Sequence, residues 1–154
     1  LLHFLYDWTG KNTIAALFSG VNESIWEHMK LLFFPMFIFA LIEYCLIGKK
    51  LKNFWYIKLT GILIGLLLIP VIYYTYTGML GFNADWFNIT IFFIAAGVSY
   101  FIETLLFRQI FNPCKNPIVP FIILFLIGLS FMIFTFVQPK IPLFRDPVTF
   151  TYGI

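Results

Sequence analysis

The side chains best able to do chemistry gather near one end of an apolar chain. His3 and Asp7 stand four residues apart, and Glu23, Glu27 and His28 follow within Asn22-Glu23-Ser24-Ile25-Trp26-Glu27-His28-Met29-Lys30. On a helix, the i, i+4 spacing puts His3 beside Asp7 and Glu23 beside Glu27 on shared faces. Two imidazoles and three carboxylates are nitrogen and oxygen donors suited to a divalent ion such as zinc, manganese or iron. The same residues suit a pocket for a cation or small polar ligand. Ser24 and His28 are also i, i+4, and Asp7 could orient the imidazole as in a hydrolase triad. Against that triad, Ser24 is the natural cap of the helix that follows, and no nucleophile-elbow motif surrounds it. A non-chemical reading competes as well. Ser24 with Glu27 three residues on is a capping box, and acidic groups suit a first helical turn.

A second set lies deeper. Glu43, Lys58 and Glu103 each fall four or five residues from the same end of three apolar runs, so they share a depth. An unpaired carboxylate there is costly, which calls for an ion-paired staple or a cation or proton gate. His28, Leu32, Phe39 and Glu43 fall on one broad helical face, so both sets could look into one interior path. Arg145 and Asp146 in the C-terminal segment could fold over the first cluster as a lid, Asp146 adding a ligand and Arg145 pairing Glu23 or Glu27.

The elements that must position these groups are membrane helices. The chain has 154 residues, 61% hydrophobic and 11% charged, with a mean hydropathy of +0.93. A soluble fold of that composition would leave apolar surface in water. Its natural partner is the lipid bilayer. The net charge of +3 comes from cations beside apolar runs, as membrane topology dictates, so nucleic acid is set aside.

Helical spans are expected at about 25–48, 54–77, 86–107 and 118–137. Residues 1–8 are about half a span long and read as the last two turns of a helix whose start precedes residue 1. The expected fold is thus all-α: a polytopic transmembrane bundle of about five spans, the first truncated, forming one integral membrane domain over 1–154. Residues 12–19, capped by Asn12, are too short to cross and should form an interfacial or re-entrant helix. Pro35 and Pro70 should kink their helices. Gly61 and Gly65 mark a close-packing face, and residues 138–154 form a surface tail.

Lys49, Lys50, Lys52, Lys58, Arg108 and Lys115 lie on one side, against Lys11, Lys30, Lys140 and Arg145 on the other. The excess places the 49–53 and 108–116 loops in the cytoplasm, and residues 9–24 and the tail outside. Cys45 and Cys114 would face the reducing side, without metal-type spacing.

The segments His3 to Gly10, Asn22 to Lys30, Asp146 to Thr149 and Tyr152-Gly153-Ile154 resemble an uncharacterised family of small polytopic membrane proteins of low-GC Gram-positive bacteria. That resemblance implies a plasma-membrane location and no activity. A looser similarity is to membrane hydrolases that hold zinc with three His plus Asp and Ser, but only two His are present here.

Three functional readings stand. The first is an outer-facing pocket of His3, Asp7, Glu23, Glu27 and His28 for a cation or small polar ligand, in transport or sensing. The second is a metal-dependent hydrolase using the same residues. The third is a non-catalytic subunit docking on a membrane partner, or on its own copy, through the tail and the glycine face.

Overall fold

The computed structural model describes residues 2–109 and 116–153, the Asp85 side chain apart. Two short helices, α1 (Leu2–Trp8) and α2 (Thr13–Phe18), precede four long ones. These are α3 (Ile25–Leu46), α4 (Phe54–Leu80), α5 (Asp85–Arg108) and α6 (Ile118–Phe136). All four long helices are long and apolar enough to cross a membrane. α1, at 7 residues, is not.

Local chemistry sets the boundaries. Gly10 takes the left-handed conformation (φ +68°) that ends α1. The Asn12 side chain accepts from Ile14 N at 2.8 Å and caps α2. Ser24 caps α3, its hydroxyl accepting from Glu27 N at 3.4 Å. Only half of a capping box forms, because Ser24 N donates to Asn22 Oδ1 at 3.0 Å instead of to Glu27. Asn116 Oδ1 accepts from Ile118 N at 3.3 Å and opens α6. α3 runs through Pro35 and α4 through Pro70 without a break in the helix.

The long helices alternate in direction. One end of the bundle carries α1, α2, the start of α3 and the tail; we call it the histidine end. The other, the lysine end, carries the α3–α4 turn, where Lys58 pairs with both Glu43 and Glu103. α5 packs chiefly on α4. The glycines explain the fit: a Cβ on Gly61 would overlap the Glu103 carboxyl, and one on Gly65 would overlap the Ser99 hydroxyl.

Leu32, Ile62, Leu66, Ile69, Ile91 and Ala95 are all buried in one core cluster. Phe39 is 57% exposed, so the helical face imagined from His28 through Phe39 to Glu43 does not all look inward. Residues 110–115, with Cys114 and most of the second basic loop, lie outside the described residues. Cys45 is an exposed free thiol.

The tail is folded rather than extended. Pro142–Phe144 forms a 3-10 turn, and Phe144 packs its ring 4.6 Å from that of Trp26. Asp146 is buried and its Oδ1 accepts from Val148 N (2.7 Å) and Thr149 N (3.2 Å). An antiparallel bridge joins Arg145 to Tyr152.

Candidate functional site

The histidine end brings three of the expected residues together. His3 Nε2 lies 3.0 Å from Glu23 Oε1, and His28 Nε2 lies 3.7 Å from Glu23 Oε2. The two imidazole centroids are 5.9 Å apart. One carboxylate therefore stands between two imidazoles that belong to different helices.

Each is held from behind. α1 hangs on Ser19, whose hydroxyl donates to Leu2 O (2.6 Å) and accepts from Tyr6 N (3.1 Å). That bond fixes His3 against α3. Glu23 precedes the cap of α3, so its direction is set by a turn, and its N–H reaches towards Asp146 Oδ2 at 3.5 Å. His28 Nδ1 lies 2.9 Å from the Ser24 carbonyl oxygen. A carbonyl can only accept, so this nitrogen carries a proton.

The His3–Glu23 contact shifts both groups. Glu23's hydrogen bond raises the pKa of His3 above its ordinary 6.5, against the opposing effect of burial. The same bond lowers that of Glu23 below 4.5, again against burial. The raised histidine contributes stability below pH 6.5 that is lost as pH rises through its folded value. The lowered carboxyl contributes stability above pH 4.5 that is lost as pH falls through its folded value. The pair should therefore stabilise the histidine end most between pH 4.5 and 6.5. Amide exchange of residues 20–24 measured across pH should show a protection maximum in that window beyond the intrinsic pH dependence. His3→Gln should flatten it; an unchanged profile in that variant would contradict the assignment.

The other expected members of the cluster go elsewhere. Glu27 is fully buried and pairs with Lys30 at 2.5 Å. Its Oε2 also accepts from Val21 N at 3.2 Å. An i, i+4 pairing of Glu23 with Glu27 requires a helix through both, but Ser24 is extended (ψ 154°), which takes Glu23 off the helix. Glu27 instead shares a stripe with Lys30, aimed at α2 and α6. Asp7 is exposed, because α1 is anchored through Leu2 and Tyr6 and its last turn reaches solvent. The Ser24–His28–Asp7 triad is not assembled: His28 meets the Ser24 carbonyl, and the buried Ser24 hydroxyl serves as the cap. Arg145 pairs with neither Glu23 nor Glu27. Its guanidinium lies over the Phe150 ring at 4.7 Å. Asp146 does come to the cluster's edge, chiefly as the cap of its own turn.

Below the polar cluster opens a cleft of about 690 Å³ between α1, α3 and α5. His3, Glu23 and His28 form one end; Leu2, Phe4, Leu31, Pro35, Phe92 and Phe93 form much of the wall. Val148 closes it from the tail, and Asn88 of α5 also lines it. Asn88 is already engaged, its Oδ1 accepting from the Tyr76 hydroxyl at 2.6 Å. Neither the wall nor Asn88 stands out in the sequence. In an apolar chain with 21 Phe, cleft-lining and lipid-facing rings look alike.

At the lysine end, the expected trio does meet. Lys58 Nζ lies 2.6 Å from Glu103 Oε2 and also pairs with Glu43. Lys58 and Glu103 are almost fully buried, whereas the Glu43 side chain is 30% exposed. Two carboxylates share one ammonium, and Glu103 Oε1 has no hydrogen-bond partner. A third polar group, missed from the sequence, is Lys30. It is fully buried, donating to Ala16 O (2.8 Å) and Thr135 Oγ1 (3.0 Å) besides Glu27.

Among the described residues, no group of three or more His, Cys, Asp or Glu side chains is arranged to hold a metal ion. The divalent-ion and hydrolase readings thus gain no donor set from them. No curated protein and no solved structure matches the chain. Residues 1–154 match throughout the model of a family of unknown function (DUF6512), and the chain belongs to that family.

Proposed function

We propose that this protein binds a cation or small polar ligand at the His3–Glu23–His28 cluster, facing outward from a bacterial plasma membrane, in transport or sensing. The observation that carries this reading is the placement of an ionised carboxylate between two imidazoles at the head of a cleft. Ionisable groups of that kind in an otherwise apolar chain are expensive unless they serve a ligand or one another. The basic excess beside the lysine end supports the outward direction.

The test is thermal unfolding of the protein in lipid nanodiscs with ammonium, methylammonium, choline or sodium chloride. A ligand at 100 times its Kd stabilises by about 2.7 kcal/mol, so at least one cation should raise the midpoint saturably. Glu23→Gln should abolish the rise while Glu43→Gln retains it. No rise with any cation, or an equal rise in Glu23→Gln, refutes the reading. Transport adds a further demand: in proteoliposomes, Glu43→Gln and Glu103→Gln should stop uptake of the stabilising cation yet leave its binding intact. A sensor would show binding without uptake.

A further inference from the structure

The polar end of the cleft has a surplus of acceptors. Nδ1 of His28 donates to the Ser24 carbonyl, and in that tautomer Nε2 presents a lone pair. It faces Glu23 Oε2 across 3.7 Å, beyond hydrogen-bonding distance. Glu23's other oxygen is taken by His3. Among the described residues nothing donates to Glu23 Oε2, so two acceptors look at one another across a gap that a donor would fill.

Charge narrows the choice of donor. His3 and Glu23 offset one another, and Asp146, within 3.5 Å of the Glu23 N–H, adds a negative charge that is buried. Arg145, the nearest cation in sequence, lies on Phe150. A positively charged donor is favoured over a hydroxyl.

The rest of the cleft is the wrong chemistry for a small ion. Its walls are Leu2, Phe4, Leu31, Pro35, Phe92 and Phe93, and its volume of about 690 Å³ far exceeds what an ammonium group occupies. Phe4 and Phe93 are 52% and 67% exposed, so the wall continues onto the surface that lipid would cover.

Accepting that the polar cluster binds a ligand, as proposed above, we infer that the ligand is a single-chain primary amine: its ammonium bridges Glu23 Oε2 and His28 Nε2, and its hydrocarbon chain fills the apolar cleft. An aminophospholipid also carries a primary ammonium, but its phosphate would stand beside Glu23 and Asp146, where like charges repel.

The experiment uses protein labelled with ¹⁵N-histidine in phosphatidylcholine nanodiscs. The chain has two His, so His3→Gln assigns both. Dodecylamine should shift His28 Nε2 saturably, at a concentration at least about tenfold below that needed with methylamine, since each buried methylene adds affinity. Dodecanoate and dodecanol should not reproduce the shift. Glu23→Gln should weaken the dodecylamine response by at least about tenfold, the loss of a charge-assisted contact. Ile89 of α5 also lines the cleft, so Ile89→Trp, which adds bulk there while leaving His3, Glu23 and His28 in place, should lose the advantage of dodecylamine and keep the methylamine response.

Equal potency of methylamine and dodecylamine overturns the chain-binding inference and leaves the polar site standing. Equal shifts from dodecanol or dodecanoate overturn the ammonium assignment. Displacement of dodecylamine by added phosphatidylethanolamine overturns the single-chain assignment. Silence of both histidines towards every amine overturns this inference, while a saturable rise with sodium or choline in the unfolding test above would leave the proposed function standing.

Discussion

Lys30→Met should lower the stability of the fold by about 3–5 kcal/mol, the cost of stranding one partner of a buried ion pair. Lys30 is fully buried and holds α2 through Ala16 O, α6 through Thr135 Oγ1 and α3 through Glu27. Without the ammonium, the Glu27 carboxylate keeps a single hydrogen bond, from Val21 N, and its Oε1 already has none. α2 has 6 residues, too few to persist as a helix unaided, so its contact with α6 should fail first. Unfolding in mixed micelles measures the loss. Glu27→Met combined with Lys30→Met should recover most of it, because replacing both charges by apolar groups removes the stranded partner. If the single variant unfolds within 0.5 kcal/mol of the parent, the pair is not a structural staple.

Lys58→Met should be comparably severe, about 3–5 kcal/mol, and for a sharper reason. The trio holds two carboxylates against one ammonium; removing the ammonium leaves Glu43 and Glu103 facing each other in a bundle that gives Glu103 almost no exposure. Glu43→Gln should behave oppositely. It leaves one cation with one carboxylate, and its side chain is partly exposed, so a change of about 1 kcal/mol or less is expected. The same unfolding experiment ranks the two. Equal losses from Lys58→Met and Glu43→Gln would show that charge balance does not govern this end.

Much of this architecture was legible in residue order. The four long helices start and stop within a few residues of where apolar runs meet Ser24, Asn53, Gly81 and Asn116. The Glu43–Lys58–Glu103 trio could be read because three charges at one depth in apolar runs have few alternatives to each other. The histidine cluster was legible only in part. Spacing rules describe residues on one helix, and Glu23 lies off it, so the rule joined Glu23 to Glu27 when the turn at Ser24 separates them. Lys30, one turn inside α3, counts among membrane-flanking cations, yet it points inward, because burial depends on which way a helix face turns. The cleft could not be seen at all. It opens between α1, α3 and α5, and that is a matter of packing.

The tail has a consequence for how the protein is made. Asn22 Nδ2 donates to Gly153 O at 3.0 Å across 131 positions of the chain, and Gly153 N donates to Gln138 Oε1 at 2.6 Å. During synthesis His3, Glu23 and His28 emerge first, but the Val148 wall and the Asp146 carboxylate arrive only after all four long helices have been made. Closing a contact over so many residues is slow and comes late in folding. Until then the emerging chain carries the cluster without its tail contacts, so a ribosome stalled before residue 146 displays an open, incomplete site.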